Sequence, residues 1–254
     1  MALLEVDAVT VRFGGVVALN KASFSVASGE ICGLIGPNGA GKTTLFNCVS
    51  RLAPVNEGAI RYDDRDLLAI PAHGIAGAGI SRTFQNLGLV PTMSVLENVM
   101  LGAYARTGSG FFKQTLRLRA VRAEERSVRS DALGALGRLG IDVLAEHLAT
   151  GLPYGTLKRI ELARALAAKP RLLLLDEPAS GLTHAEVDEL GSTVKSLRDE
   201  LGLTVLLVEH HMNMVMGISD TVVALEFGQK LAEGTPEQVR NNPAVIAAYL
   251  GTAA

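Results

Sequence analysis

Residues 36 to 43 read Gly-Pro-Asn-Gly-Ala-Gly-Lys-Thr, directly after the apolar run Ile31-Cys-Gly-Leu-Ile35 and directly before Thr44-Leu-Phe-Asn-Cys-Val49. A strand, a glycine-rich turn and a helix in that order make a phosphate cradle. Gly36, Gly39 and Gly41 carry no Cβ, so consecutive backbone N–H groups can turn inward around an anion. The helix that follows adds the positive end of its dipole. Lys42 supplies a point charge for the β- and γ-phosphates and Thr43 a hydroxyl for Mg²⁺. A second segment, Leu172-Leu-Leu-Leu175 followed by Asp176-Glu177-Pro178, reads as a buried strand ending in two carboxylates. Groups at the carboxyl ends of parallel strands face one crevice, which makes Asp176 a metal ligand and places Glu177 to polarise an attacking water. The two segments together imply a bound nucleoside triphosphate, ATP or GTP, and its hydrolysis.

The elements that must hold these groups alternate along the chain. Strands are expected at 3–9 and 22–27 with a turn at Phe13-Gly14-Gly15, and Ile60-Arg-Tyr62 with the turn Asp63-Asp64 continues this antiparallel section. A short helix is expected from Pro71, leading to Ile80-Ser-Arg-Thr-Phe-Gln85. Pro91 breaks the pattern, and Ser94 to Glu97 fits a capping box opening another helix. Lys113 to Leu139 has helical spacing, with Thr107-Gly-Ser-Gly110 as a flexible approach. From there the reading is helix 157–168, strand 172–176, helix 184–201, strand 204–209, helix 211–217 and strand 221–226. That alternation predicts an α/β fold with a mostly parallel sheet. An N-terminal antiparallel β subdomain and an inserted α-helical subdomain at about 87–165 complete one domain spanning 1–254.

Composition narrows the class. A chain of 254 residues with 48% hydrophobic residues can bury a full core, yet no apolar run approaches the roughly 18 residues needed to cross a bilayer. Met1-Ala-Leu-Leu-Glu-Val-Asp7 has no basic start, so the chain is expected to stay in the cytoplasm. Cys32 and Cys48 fall on the strand and helix flanking the phosphate loop, which suggests buried thiols rather than a disulfide. A formal net charge of -2 and only 4% aromatic residues argue against a nucleic-acid partner, which calls for basic patches and stacking rings.

The order of motifs resembles the ATP-binding subunit of ABC transporters over essentially the whole chain: phosphate loop, Gln85, a glycine signature before a helix, Asp-Glu, then a histidine after the next strand. Within that family the pattern is similar to the ATPase subunits of branched-chain amino acid importers. Arg12-Phe-Gly-Gly15, Arg82-Thr-Phe-Gln-Asn86, Pro153-Tyr-Gly155, Glu209-His210, Val215-Met-Gly-Ile-Ser-Asp220 and the stretches Glu233-Gly-Thr-Pro-Glu237 and Tyr249-Leu-Gly251 carry this closer match. The resemblance implies a P-loop ATPase that hydrolyses ATP to ADP and phosphate with Mg²⁺. It implies that Phe13 stacks on adenine and that Gly36, Asn38, Gly39, Ala40, Gly41, Lys42, Thr43 and Thr44 hold the phosphates. Thr43, Asp176 and Gln85 would attend the metal, and Glu177, His210 and Gln85 the reaction. His210 is preferred to His211 as the γ-phosphate contact, while His73, His147 and His184 read as surface residues.

One segment departs from the family. The usual L-S-G-G-Q is here Leu152-Pro-Tyr-Gly-Thr156, so Pro153 removes both the serine hydroxyl and a backbone donor. Gly155 and the start of the next helix, expected at Leu157, remain for anion contact. Thr183 stands where the family carries Asp. The resemblance further implies a second ATPase subunit, same or homologous, closing head-to-tail over the nucleotide, two membrane permease subunits, and indirectly a solute-binding protein. It places the chain at the cytoplasmic face of the membrane. Arg117, Arg119, Arg122, Arg126 and Arg129 read as a solvated helix face, with acidic lipid headgroups as the other option. A lipid or polysaccharide exporter ATPase shares the catalytic set and is the alternative function. A soluble ABC ATPase of DNA repair or translation lacks support, because such proteins need a long coiled-coil insertion or tandem units.

Overall fold

The structure is a computed structural model that describes residues 1–83, 87–104 and 119–250. The chain forms two compact units, one from residues 1–75 and 171–254 and one from 76–170. In the first unit the strands are β1 (Ala2–Phe13), β2 (Val16–Ala27), β3 (Ile31–Ile35), β4 (Glu57–Tyr62), β5 (Arg65–Asp66), β7 (Leu172–Asp176), β8 (Thr204–Val208), β9 (Thr221–Glu226) and β10 (Gln229–Gly234); β6 (Ile80–Arg82) belongs to the second.

Two sheets build the first unit. One is antiparallel in the order β2-β1-β4-β5, and the other runs β10-β9-β3-β8-β7. In the latter β9, β3, β8 and β7 are parallel and β10 adds an antiparallel edge. Every residue of β3, β7 and β8 is buried, as expected of parallel strands covered on both faces. Helix Lys42–Val49 follows β3, and helix His184–Leu201 buries Val187, Val194 and Leu197 at helical spacing. Each such aliphatic side chain, fully removed from water, contributes roughly 1.5–3 kcal/mol. The parallel order brings the ends of β3, β7 and β8 together, since Leu34 and Asp176 both pair with Val208 of β8.

In the second unit, helices Val95–Tyr104, Arg119–Arg138 and Tyr154–Ala167 pack on one another. Gly102 lets the first and third meet: a Cβ there would lie 1.9 Å from the Arg164 carbonyl oxygen. Asn98, fully buried, accepts from the Val90 N–H at 2.7 Å and donates to the Ser94 carbonyl at 3.0 Å, fixing the loop before its own helix.

Several boundaries differ from expectation. Phe13 pairs with Val16, so β1 and β2 run to a two-residue turn, Gly14-Gly15, and Phe13 is strand rather than turn. The helix expected from Pro71 is a single turn at Ala72–Gly74. The helix expected from Leu157 begins at Tyr154 with Pro153 as its N-cap, because a proline at a helix start loses no hydrogen bond and its fixed φ already suits the first turn. Strand β8 stops at Val208, which leaves Glu209 beyond the ladder. Strand β10 and helices Pro236–Arg240 and Pro243–Leu250 were not anticipated. The expected capping box is present, with Ser94 N–H donating to Glu97 at 2.7 Å and Glu97 N–H to Ser94 Oγ at 3.1 Å. Cys32 and Cys48 are buried free thiols. Gln85, its neighbours Phe84 and Asn86, Thr107 to Gly110 and Arg117 lie outside the described residues.

Candidate nucleotide site

Main-chain geometry, more than side chains, shapes the 36–43 loop. Gly36 and Gly41 sit at φ 151° and 101°, and a Cβ at Gly41 would lie 2.6 Å from the Ala18 carbonyl oxygen of β2. Only glycine tolerates that conformation and that approach together. Helix Lys42–Val49 has no side chain capping its first turn, so no side chain competes there with an anion for the first-turn amides. Lys42 is buried, and its ammonium donates to the Gly36 carbonyl at 2.6 Å and the Pro37 carbonyl at 3.0 Å. Burial holds its pKa below the usual lysine range, while the carboxylates of Glu177 and Asp176 pull the other way. The lysine therefore sits in the field of both acids, a charge balance that suits a triphosphate and a divalent ion. Ala40 is buried, Thr44 half-buried, and Asn38, Gly39 and Thr43 are exposed on the loop's open side.

Asp176 ends β7 and is buried. Glu177 follows at φ 48°, a left-handed conformation unusual for a residue with a Cβ, and its N–H donates to the Val208 carbonyl at 2.8 Å. Strain of this kind collects where a side chain must be aimed. Here the Glu177 Oε1 is aimed at the His210 Nε2, 2.8 Å away. An ionised carboxylate can only accept, so the imidazole presents an Nε2–H in this pair. His211 instead caps helix Met212–Ile218 with its backbone. His73, His147 and His184 are exposed.

Phe13 stands at the tip of the β1–β2 hairpin, 48% exposed beside the exposed Val16 and Val17. The same hairpin's β2 passes the phosphate loop at Ala18, so the ring belongs to a strand that reaches the loop. In the second unit, Gly155 and Thr156 are half-buried and Tyr154 is exposed in the first turn of its helix. Arg164 of that helix donates to the Gly88 carbonyl at 2.7 Å and the Leu87 carbonyl at 3.0 Å, holding the chain just beyond Gln85. Arg126 and Arg129 are exposed, and Arg129 pairs with Glu146 at 2.8 Å, as a solvated face would.

The roles of two residues are not legible from the site motifs of the sequence. Thr183 is the N-cap of helix His184–Leu201 in a full capping box with Glu186; Thr183-His-Ala-Glu186 carries that signal in plain form. Glu209 is 2% exposed and accepts from the Ala179 N–H at 2.7 Å, the His210 N–H at 2.6 Å and the His211 N–H at 3.1 Å. No local pattern marks it, because its partners come from two loops.

Comparison with known proteins finds relatives over nearly the whole chain. The family described as ABC transporter matches residues 19–180, and the family described as branched-chain amino acid ATP-binding cassette transporter matches residues 229–254. The high-affinity branched-chain amino acid transport ATP-binding protein BraF of Pseudomonas aeruginosa is 42% identical over 99% of this chain and 98% of its own. The lipopolysaccharide export system ATP-binding protein LptB of Escherichia coli is 33% identical over 99% and 98%. The crystal structure of the ADP conformation of MJ1267, an ATP-binding cassette of an ABC transporter, superposes with a TM-score of 0.86 at 29% identity, covering 99% of both chains.

Proposed function

The chain belongs to the ATP-binding proteins of ABC transporters, and from that premise we propose that it hydrolyses ATP to drive a branched-chain amino acid importer. The observation that carries the transport reading is the near-full-length likeness to BraF, together with the separate match of residues 229–254. The exporter reading rests on LptB, at 33% identity against 42%, and is the weaker of the two.

The residues fit a magnesium nucleotide. Among the described residues no group of three or more His, Cys, Asp or Glu could hold a metal alone. Mg²⁺ is usually bound by one or two carboxylates, phosphate oxygens and water; Thr43 and Asp176 would be its ligands, with Gln85 as the further candidate from the sequence. The ion supplies charge neutralisation across the β- and γ-phosphates. Lys42 and the N–H groups of 38–44 hold the phosphates, and Phe13 stacks on adenine. Glu177 takes the proton of the attacking water as the water oxygen bonds to the γ-phosphorus and the bond to the ADP oxygen breaks. His210 holds the Glu177 carboxylate and reaches the γ-phosphate.

The helix start, exposed at Pro153 and Tyr154 and half-buried at Gly155 and Thr156, supports a second copy or a homologue closing over this nucleotide, with Gly155 as the backbone contact across the interface. Among the described residues no helix is long and apolar enough to cross a membrane; the likeness to importer ATPases supports attachment at the cytoplasmic face through permease subunits, fed by a solute-binding protein. The test is co-expression with the neighbouring permease genes, measuring uptake of leucine, isoleucine and valine together with ATPase in vesicles. Gln85→Ala should lower uptake per ATP more than nucleotide binding. Uptake of none of the three amino acids, or failure to co-purify with any membrane protein, overturns the importer reading.

A further inference from the structure

Two loops must be held against each other for the Glu177–His210 pair to exist, one after β7 and one after β8. Two bonds join them and a third ties the first loop to the last residue of β8. Glu177 N–H donates to the Val208 carbonyl at 2.8 Å, His210 Nε2 meets Glu177 Oε1 at 2.8 Å, and Ala179 N–H donates to Glu209 Oε1 at 2.7 Å. The Glu209 Oε2 meanwhile takes the N–H groups of His210 and His211 at 2.6 and 3.1 Å. One buried carboxylate thus spends one oxygen on each loop. Charge-assisted bonds to backbone amides are about twice as strong as neutral ones; the bond to Ala179 is buried and those to His210 and His211 are part-buried.

Resting on the reading of Glu177 and His210 given above, we propose that Glu209 is a positioning residue for hydrolysis: its carboxylate couples the Glu177 loop to the His210 loop so that they move as one body. The chemistry is specific to a carboxylate. Glutamine at this position presents one oxygen and one N–H₂ group, and that amide necessarily faces backbone donors on one of the two loops. Aspartate is one methylene shorter and cannot span both. The phosphate loop makes no bond to Glu209, so the consequence falls on turnover rather than on nucleotide capture. A displacement of about 1 Å between reacting groups costs roughly 10²-fold in rate, which sets the expected size.

The experiment uses the full chain and four single variants, Glu209→Gln, Glu209→Ala, His210→Ala and Glu177→Gln, with the double variant Glu209→Ala/His210→Ala. Phosphate release gives kcat and KM, a fluorescent ATP analogue gives nucleotide Kd, and circular dichroism melts report folding. Glu209→Gln and Glu209→Ala should lower kcat about 10²-fold with Kd within about twofold of wild type. The double variant should be little slower than the slower single one, because both substitutions break the same unit. A wild-type kcat for Glu209→Gln, losses that multiply in the double variant, or a fall in nucleotide affinity matching the fall in kcat would overturn the inference. If Glu209→Ala fails to fold, Glu209→Gln, nearly identical in shape, decides the matter. Wild-type rates for both Glu177→Gln and His210→Ala would instead refute the catalytic assignment itself, whatever Glu209 does.

Discussion

In the unit formed by residues 1–75 and 171–254, polar groups are clamped in place. Lys42 bonds two carbonyls, Glu177 bonds His210, and Glu209 accepts three amides. In the 76–170 unit the segment Leu152 to Thr156 is presented rather than clamped. Pro153 and Tyr154 are exposed, and neither Pro153 nor any other side chain caps the helix they open. The first arrangement holds side chains at fixed positions for chemistry inside one chain. The second leaves amides and a ring available to something outside it. The proposed pairing, in which a second copy or a homologue completes the site, would use both.

The sharpest way to break that contrast is in the clamped unit. Glu177→Gln should lower kcat by roughly 10²–10⁴, the usual worth of a general base, with ATP affinity kept, whereas Lys42→Ala should weaken nucleotide binding itself. Phosphate release and analogue titration separate the two, and equal ATPase rates for wild type and Glu177→Gln would sink the assignment. Next come two glycine-to-alanine substitutions. Gly41→Ala places a methyl 2.6 Å from the Ala18 carbonyl at φ 101°, and nucleotide affinity should drop at least about tenfold, roughly 1.4 kcal/mol. Gly102→Ala meets the Arg164 carbonyl at 1.9 Å and should destabilise helix packing by about 1–3 kcal/mol while sparing nucleotide affinity. Equal losses of affinity in the two variants would erase the distinction between the units.

A smaller effect should come from the presented segment. Gly155→Asp adds a charge that suits a helix N-terminus but repels phosphate, so folding and nucleotide affinity of the monomer should hold. Light scattering should show that Glu177→Gln dimerises with ATP and that adding Gly155→Asp weakens the dimer about tenfold. Wild type should stay monomeric without nucleotide, and a tight nucleotide-free dimer would contradict the division of labour.

The smallest effect concerns the thiols that flank the loop. Burial pushes the Cys48 thiol from 9.0 to about 11 and raises Cys32 as well. Below about pH 9 both thiols are protonated folded or unfolded, and their contribution to stability is fully present. Above it the unfolded chain ionises while the folded one does not, so stability should fall as pH rises from about 9 to 11. Melts in that window, compared with a Cys32→Ala/Cys48→Ala variant, should show a flatter profile for the variant; identical profiles would refute the origin in the thiols.

Legibility in the sequence followed the range of the interactions involved. The phosphate loop, the strand Leu172–Asp176 and the helix His184–Leu201 are local patterns of spacing and hydrophobicity, and the structure places them at the anticipated residues. The capping box Thr183–Glu186 is equally local, carried by a Thr-x-x-Glu spacing. The helix starts at Tyr154 rather than Leu157 because proline at the N-cap removes an N–H that no helical hydrogen bond would have used. Strand β10 was missed because its alternation is shallow and its reason to be extended is the ladder with β9.

By itself the sequence determined the chemistry available: which residues can cradle phosphate, hold a metal and accept a proton, and the order in which elements carry them. Only the tertiary structure decided that Glu177 adopts φ 48°, that His210 rather than His211 meets it, and that Glu209 ties both loops. Those facts depend on β7 and β8 lying side by side with Asp176 opposite Val208. Residues 177 and 210 are far apart along the chain, and no local spacing encodes a distance that the parallel ladder alone sets.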